Sequence, residues 1–421
     1  MELEIKQGFK QTEVGLIPED WEVNEIKNLS NPVRGGSPRP AGSSKYFNGS
    51  YIPWLTVASL TNIPNYQICV EKTNSYLTEA GSHLSRTLEK ETVIIANSGA
   101  TLGVAKILSI KCCANDGVAA LLNIDNSVSS KYLVYYINSI TKRLREDIAT
   151  GNGQPNLNTE LIGNLSIPLP PTLAEQKAIA TALSDVDELI SSLDALIAKK
   201  KAIKQGAMQQ LLTPPSKGGK RLDGFDGEWV ETRLGDVADF YKGKGLPKSE
   251  IEEGAKYPCV HYGELFTKYN EVISQIRSNT NYTENTFRSK INDVLMPTSD
   301  VTPNGLATAS AIFENDVILG GDVLVIRPDV NLLGSFLSFQ ISINKPQIMS
   351  LVSGTTVFHL YGSDMAKFKF YKPSIDEQKA IVQILSDMDK ELEELATKKE
   401  KYEHIKQGMM QELLTGKTRL V

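Results

Sequence analysis

One segment of this 421-residue chain occurs twice, and that repeat limits the possible folds more than any other feature. Residues 171–213 align without a gap to residues 373–415, at an offset of 202, with 21 of 43 positions identical. The sequence Glu-Gln-Lys-Ala-Ile at 175–179 recurs at 377–381, and both copies end in Leu-Leu-Thr. Self-similarity of this extent indicates two copies of one structural unit.

Each copy of the repeat has the pattern of one long helix. Both copies follow prolines that suit a helix start and contain no later proline. Apolar residues recur at spacings of four and three, which is the a/d seam of a coiled coil. Two helices, each of about 40 residues and about 60 Å, should therefore pack on each other, either parallel or antiparallel. The predicted seam consists of Ile179, Leu183, Val186, Ile190, Leu193, Ile197, Ile381, Leu385, Met388, Leu392 and Leu395.

A domain with matching landmarks precedes each helix. Pro18-Glu19-Asp20-Trp21 is echoed by Asp226-Gly227-Glu228-Trp229, and residues 151–157 stand where 354–360 stand in the second half. The landmarks agree while the loop chemistry diverges, so one scaffold carries two different binding surfaces. The predicted ranges are a first domain (1–170), a first helix (171–213), a second domain (214–372) and a second helix (373–421).

Short apolar segments separated by Gly, Pro, Asn and Ser make both domains strand-rich. The pattern predicts strands at 51–57, 92–96, 118–124, 293–297 and 322–327, and helices at 131–147 and 332–342. The predicted fold class is therefore α+β, with two mixed α/β domains joined by two long helices packed as a coiled coil. The internal repeat predicts a pseudo-two-fold molecule. Because 413–420 resembles 211–222, we also expect the two ends of the chain to lie close together.

No motif places catalytic chemistry in this chain. The sequence lacks GxxxxGK[ST], HExxH, GxSxG and the Asn-Pro-Pro-Tyr type of motif found in amino-methyltransferases. Its four histidines are scattered, and its four cysteines form no CxxC pair. We therefore expect a non-enzyme that binds no metal or cofactor and has no disulfide. No long apolar run or signal peptide is present, which predicts a cytoplasmic protein that does not enter a membrane.

The net charge of -5 argues against a chain that binds nucleic acid unaided. Lys and Arg supply most of the non-specific affinity for DNA, because they neutralise phosphates. If DNA is the ligand, basic residues must cluster locally, or a partner must contribute positive surface.

The helices carry Glu-Gln-Lys-Ala-Ile and Lys-Gln-Gly-x-Met-Gln-x-Leu-Leu-Thr, and each follows a domain that opens with an acidic residue before tryptophan. In these features the whole chain resembles the specificity subunits of type I restriction-modification systems. The resemblance implies two target recognition domains, each reading one half of a bipartite, asymmetric site in double-stranded DNA. It also implies that the helices set the spacing and dock two methyltransferase subunits, with two motor-nuclease subunits joining for restriction. Those partners would use S-adenosylmethionine, ATP and magnesium in DNA methylation and phage defence, while this chain supplies the address.

Base readout requires amide, hydroxyl and guanidinium groups on exposed loops, with Lys and Arg placed for phosphates. In the first domain the candidates for DNA binding are Arg34, Ser37, Arg39, Lys45, Asn97, Ser98, Thr101, Gln154, Asn156 and Asn158. In the second domain they are Lys242, Lys244, Lys248, His261, Tyr262, Thr298, Ser299, Thr302, Thr355, His359 and Tyr361. The alternative for each is a solvated or turn-stabilising polar residue.

Three other interpretations fit parts of the pattern. The chain could serve a related system in which one partner fuses the methyltransferase and the nuclease. It could be a coiled-coil scaffold that holds two domains for ligands other than DNA, such as glycans. It could also be an enzyme with an unfamiliar site. Because the helix pair would set the separation of the two domains, adding or removing residues between Ala180 and Ala202 should change the gap in the target and preserve both half-sites.

Overall fold

A computed structural model of the chain describes residues 7–149 and 155–420. Their contacts divide the chain into two compact units. Unit 1 comprises Met1–Leu196 and Leu395–Val421, and unit 2 comprises Ile197–Glu394. The boundary falls inside both long helices, so each unit holds the first part of one helix and the last part of the other. The ranges predicted from the repeat divide the chain differently, at the ends of the helices.

Unit 1 is strand-rich, as its alternation of short apolar segments and turn residues predicts. Its strands are β1 (Phe9–Thr12), β2 (Gly15–Pro18), β3 (Glu22–Glu25), β4 (Asn31–Arg34), β5 (Phe47–Leu55), β6 (Cys69–Val70), β7 (Tyr76–Leu77), β8 (Arg86–Leu88), β9 (Val93–Ala96), β10 (Ala105–Leu108), β11 (Cys112–Ala114), β12 (Val118–Leu122) and β13 (Ser166–Leu169). Its short helices are α1 (Ile26–Leu29), α2 (Val57–Thr61), α3 (Glu79–Ser82), α4 (Ser130–Ser139), α5 (Thr141–Arg143) and α6 (Thr159–Gly163), with a π-helical turn at Leu144–Ile148. The first long helix, α7, covers Leu173–Leu211.

Two sheets form the body of unit 1. One has the order β4-β12-β9-β10-β6 and the other the order β7-β5-β11-β8, while β1-β2 and β3-β13 form separate pairs. Strands β9, β10 and β11 are buried along their whole length, and apart from Lys106 in β10 their residues are all apolar. Helix α4 packs in the same core as the fully buried Trp21, together with Ile179 and Leu183 of α7. Leu413 and Leu414 from the end of the second long helix complete this core.

Unit 2 repeats the plan with different bounds. Its strands are β14 (Val230–Arg233), β15 (Ala238–Lys242), β16 (Tyr257–Val260), β17 (Ser278–Thr280), β18 (Phe287–Arg288), β19 (Val294–Pro297), β20 (Ser299–Asp300), β21 (Ser310–Ala311), β22 (Ile318–Leu319), β23 (Val323–Pro328), β24 (Phe358–His359) and β25 (Lys369–Lys372). Its helices are α8 (Gly334–Ile343), α9 (Lys345–Leu351), α10 (Gly362–Met365) and the second long helix, α11 (Ile375–Leu413). Short 3-10 segments lie at Pro215–Lys217, Leu234–Asp236, Lys248–Glu250, Tyr262–Phe266 and Pro303–Ala307.

The sheets of unit 2 match those of unit 1 strand for strand. The order β15-β23-β19-β21 corresponds to β4-β12-β9-β10, and β17-β16-β22-β18 corresponds to β7-β5-β11-β8. The pair β14-β25 likewise corresponds to β3-β13. Within the described residues, β6 alone extends the first sheet of unit 1 beyond this plan. The α+β class with its internal repeat is therefore confirmed.

The two long helices run antiparallel, which the sequence had left open. In unit 1, the carboxylates of Asp187 and Asp194 lie 2.5 Å from the ammonium groups of Lys406 and Lys399. In unit 2, Lys204 lies 2.6 Å from Asp389, and Lys200 lies 2.7 Å from Glu391. In both units the partner number falls as the residue number rises, so the two chains run in opposite directions. At an offset of 202 the Asp187 and Lys406 pair is equivalent to the Asp389 and Lys204 pair.

The residues of the predicted seam are turned away from solvent. Six of them are buried and the remaining five are half-buried. The buried members are Ile179, Leu183, Ile190, Leu193, Ile381 and Leu385, and the half-buried members are Val186, Ile197, Met388, Leu392 and Leu395. Among the described residues, no helix is both long and apolar enough to cross a bilayer.

Two predicted elements are cut short at helix caps. The strand predicted at 51–57 stops at Leu55, because Thr56 caps α2 in a capping box with Ser59. The helix predicted at 131–147 is interrupted at Ile140 and continues as α5 and a π-helical turn. The strand predictions at 92–96, 118–124, 293–297 and 322–327 match β9, β12, β19 and β23.

Candidate nucleic-acid interface

In unit 1, several of the candidate residues gather around one carboxylate, that of Asp116. Asp116 lies in the turn that leads into β12, beside the end of β4, because β4 and β12 are antiparallel neighbours. The Ser37 hydroxyl donates to Asp116 Oδ1 at 2.7 Å, and Arg39 Nη2 lies 3.7 Å from Oδ2. Arg34 Nε and Asn97 Nδ2 both donate to the backbone oxygen of Asp116, at 2.6 Å and 3.2 Å. Four side chains from distant segments therefore converge on this turn.

The surroundings keep Asp116 ionised. The hydrogen bond from Ser37, assisted by the charges of Arg34 and Arg39, lowers the pKa of Asp116 below its ordinary value, although partial burial opposes the shift. The carboxylate side chain is still 42% exposed, and Arg39 is 75% exposed. The turn thus presents negative charge at its centre and positive charge at its rim.

An open cleft of about 410 Å³ lies beside this turn. Its lining includes Arg34, Ser98, Asn115, Asp116 and Asn156. Ser98 and Asn156 form an isolated β-bridge, and the Leu157 amide donates to the Asn97 backbone oxygen at 2.8 Å. The structure therefore brings together three of the sequence segments that the loop chemistry had singled out.

The other candidates of unit 1 do not join this cluster. Lys45 is exposed and lies beside the ring of Tyr46. The Thr101 hydroxyl is buried, and the Asn158 side chain caps α6 by accepting from the Leu161 amide at 2.8 Å. Gln154 lies outside the described residues. For Asn158 the helix-capping alternative is what the structure displays.

Unit 2 builds the equivalent turn from different residues. Asp322 leads into β23, and Lys242 at the end of β15 lies 3.5 Å from its Oδ1. The Thr298 hydroxyl donates to the Asp322 backbone oxygen at 3.2 Å. Burial is the main cause of the lowered pKa of His261. The nearby charges of Lys248 and Asp322 also affect this pKa. A neutral imidazole can both donate and accept hydrogen bonds.

The remaining candidates of unit 2 occupy the loops around this turn. Ser299 pairs with His359 in the two-stranded β20-β24 ladder, as Ser98 pairs with Asn156 in unit 1. The rings of His359 and Tyr361 stack at 5.9 Å, and Tyr361 is 49% exposed. Thr302 donates to Asp300 Oδ2 at 2.7 Å, Tyr262 packs 4.6 Å from the His261 ring, and Lys244, Lys248 and Thr355 are exposed. The stacked rings of His359 and Tyr361 offer a flat surface for further stacking.

Sequence reasoning missed the acidic members of both clusters and one basic residue. Basic, amide and hydroxyl groups are the usual partners of phosphates and bases, so base readout alone does not predict Asp116 and Asp322. Each stands within two residues of the start of a buried apolar strand, and that position was the available signal. Arg86, exposed and donating to the Arg34 backbone oxygen at 2.7 Å, had no sequence signal because it acts through the tertiary fold.

The repeated Glu-Gln dipeptide anchors the start of each long helix. The buried carboxylate of Glu175 accepts from Arg419, which also binds Asp20 at 3.0 Å, and the buried carboxylate of Glu377 accepts from Arg221 at 2.8 Å. Gln176 and Gln378 each bind backbone groups of the loop before the helix and of the loop before α4 or α8. These residues hold the helices to the sheets and do not face the clefts.

The C-terminal residues pack against the N-terminal part of unit 1. Gly416 has a φ of +68°, and a Cβ there would lie 2.5 Å from the Pro18 ring. Glycine is therefore required on both grounds. No group of acidic, histidine and cysteine side chains suited to a metal ion occurs in the parts of the chain that the structure describes.

Two solved structures share this architecture. The crystal structure of a type I restriction-modification S subunit from M. genitalium superposes with a TM-score of 0.60 at 15% identity, covering 98% of each chain. A chain from a structure of type I system assembly and conformational transition gives a TM-score of 0.59 at 16% identity, covering 96% of this chain and 99% of that one. At such identities the likeness defines the fold alone.

Sequence comparisons identify the family to which the chain belongs. The MjaVIII specificity subunit of Methanocaldococcus jannaschii is 24% identical over 99% of this chain and 97% of its own. The MjaIX specificity subunit of the same organism is 31% identical over 61% of each chain. The family model of the type I restriction modification DNA specificity domain matches twice, at residues 18–204 and 226–404. The chain belongs to this family, and the resemblance inferred from the repeat is confirmed.

Proposed function

We propose that this chain is the DNA sequence-specificity subunit of a type I restriction-modification complex, with one half of a bipartite target read by each unit. The observation that carries the proposal is the contrast between the units. Their two main sheets share one strand order apart from β6, whereas the polar side chains around the turns at Asp116 and Asp322 differ in chemistry. One scaffold with two sets of hydrogen-bonding groups suits two different base sequences.

The long helices are proposed to set the spacing of the half-sites and to dock two methyltransferase subunits, with two motor-nuclease subunits joining for restriction. Within this proposal the partners use S-adenosylmethionine, ATP and magnesium, and this chain contributes no catalytic group. The net charge of -5 supports DNA binding together with partner subunits. The basic rim residues are few, so the partners must neutralise many of the phosphates.

Adenine methylation mapping tests the proposal. A plasmid is exposed to this chain together with the methyltransferase encoded beside it, and methylated positions are read by single-molecule sequencing. We expect one bipartite motif, methylated on both strands and lost when this chain is omitted. Methylation that persists without the chain would contradict the proposal.

The same assay separates the rival interpretations. Methylation or cleavage of DNA by the isolated chain, with S-adenosylmethionine and magnesium, would point to an enzyme. A motif that appears only with a fused methyltransferase-nuclease partner would indicate the related system. Binding of a glycan, with no effect of the chain on methylation, would favour the scaffold. The lysine and arginine residues at the rims of the two turns favour DNA over a glycan as the ligand, so they favour the specificity subunit over the scaffold.

A further inference from the structure

Each unit has a carboxylate at the turn before the second strand of its first sheet, at positions that differ by one residue. The Asn97 amide donates to the Gly117 backbone oxygen at 3.0 Å, and the Thr298 amide donates to the Asp322 backbone oxygen at 2.9 Å. Asp322 of unit 2 is therefore equivalent to Gly117 of unit 1, which is the residue after Asp116. In each unit this carboxylate faces the basic residue that ends the first strand of the sheet, Arg34 or Lys242.

The ion pairs of these two carboxylates contribute little to stability. Asp116 is 42% exposed and lies 3.7 Å from its cationic partner Arg39, and Asp322 is 49% exposed and lies 3.5 Å from Lys242. Ion pairs that are this long and this exposed contribute little to folding. Each carboxylate keeps lone pairs open to the solvent, because an ionised carboxyl group can accept about four hydrogen bonds.

Near Asp116, two side-chain acceptors have no hydrogen-bond donor among the residues that the structure describes. Asn97 is 1% exposed, and its Nδ2 donates to the Asp116 backbone oxygen, which fixes the side chain with Oδ1 unpartnered. Asn115 lines the cleft, and its Oδ1 is likewise buried without a partner. Buried acceptors without donors are costly, so these two amide oxygens favour the approach of N–H groups.

DNA presents few groups that could supply them. Phosphate oxygens repel a carboxylate, and most base edges in the major groove are acceptors. The exocyclic amino groups, cytosine N4 and adenine N6, are the donors that the groove offers. We propose that Asp116 and Asp322 each accept a hydrogen bond from the exocyclic amino group of one base, and so fix one base pair in each half-site. This inference rests on the proposed function and deepens it.

Asp116→Ala and Asp322→Ala test the inference, each assayed as the full chain with its methyltransferase on a plasmid library in which single target positions are randomised. Asp116→Ala should relax discrimination at one base pair of one half-site by about five- to 150-fold and leave the other half-site unchanged. Asp322→Ala should do the same in the other half-site only. Asp116→Asn and Asp322→Asn preserve side-chain shape and one acceptor oxygen, so they should relax the same two positions less than the alanine variants do.

Each variant serves as the matched control for the other, and Asp125→Ala controls for loss of an exposed carboxylate whose hydrogen bonds are local to Ser127. A uniform fall in methylation, with no change in base preference, would mean that the carboxylates only position Arg34 or Lys242 and would overturn the inference. Unchanged motifs would also overturn it. Failure of the wild-type chain to direct methylation at all would instead refute the proposed function. Thermal unfolding of each variant identifies any that do not fold.

Discussion

At the scale of single residues, the repeat preserves buried charges rather than the groups of the clefts. Glu175 and Glu377 have side chains that are 1% exposed, and each is neutralised by an arginine that lies far away in sequence. Arg419 stands 244 positions from Glu175, and Arg221 stands 156 positions from Glu377. A buried carboxylate is tolerated only with a partner, so the glutamate and the arginine must be kept together.

Removal of that partner should be costly. We expect Arg419→Ala to destabilise unit 1 by about 3 kcal/mol, because the Glu175 carboxylate would remain buried without a counter-ion. For a unit of this size the melting temperature should fall by about 6 to 12 °C. Differential scanning calorimetry measures the shift, and Arg221→Ala provides the equivalent change in unit 2. Adding Glu175→Gln to Arg419→Ala should recover part of the loss, and two melting temperatures equal to that of the wild type would rule out the anchoring role.

At the scale of elements, buried ion pairs fix the direction of the long helices. Asp187 lies beside the apolar seam with a side chain that is 6% exposed, paired with Lys406 and accepting from the Tyr135 hydroxyl at 2.7 Å. Asp389 is paired with Lys204 in the same way in unit 2. In each unit the antiparallel arrangement places opposite charges together at these positions, which an apolar seam alone would not specify.

The stability of unit 1 should therefore depend on pH through Asp187. Burial raises the pKa of Asp187 above its ordinary value of 3.8, although Lys406 and Tyr135 oppose the shift. A carboxyl group with a raised pKa favours the folded state most below its unfolded pKa, and that contribution is lost as the pH rises through the folded pKa. Asp187→Asn cannot titrate, so its stability relative to the wild type should increase as the pH rises from the unfolded pKa of about 4 through the raised folded pKa.

Urea denaturation at several pH values measures this relative stability. Asp389→Asn should give the same sign, because burial also raises the pKa of Asp389. Asp125→Asn is the control without such an increase, since hydrogen bonds from Ser127 lower the pKa of Asp125. A flat difference between the wild type and Asp187→Asn would show that Asp187 titrates alike in the folded and unfolded chains.

At the scale of the whole molecule, the two copies of the repeat allow the spacing proposal to be tested without breaking the helix pair. Ala195 and Thr397 occupy equivalent positions of α7 and α11. Seven residues inserted after each of them would preserve the heptad phase and the ion pairs on either side. An insertion in only one helix would put the two seams out of register and serves as the control.

The paired insertion lengthens each helix by about 10.5 Å, which corresponds to about three base pairs of DNA. Methylation mapping should then show the same two half-sites with a gap that is about three base pairs longer. An unchanged gap with full methylation would show that the helices do not set the spacing of the half-sites. The single insertion should lower methylation without creating a new defined gap.

Much of the design could be predicted from the sequence because it rests on local patterns. The repeat at 171–213 and 373–415 gave the helices, and the spacing of Ile179, Leu183 and their counterparts gave the buried seam. Apolar runs at 92–96 and 118–124 gave central strands for the same reason. Periodicity and turn residues act over a few positions, so they can be read without knowing the fold.

Only the tertiary structure decided which distant residues meet. The antiparallel direction of α7 and α11, the pairing of Glu175 with Arg419, and the division of each helix between two units depend on contacts across long stretches of chain. The turn at Asp116 is the clearest case, since Arg34 lies 82 positions away and Ser37 lies 79 positions away. The sequence determined the scaffold and the candidate loops, whereas the pairing of strands β4 and β12 determined that a carboxylate stands at the centre of the candidate site.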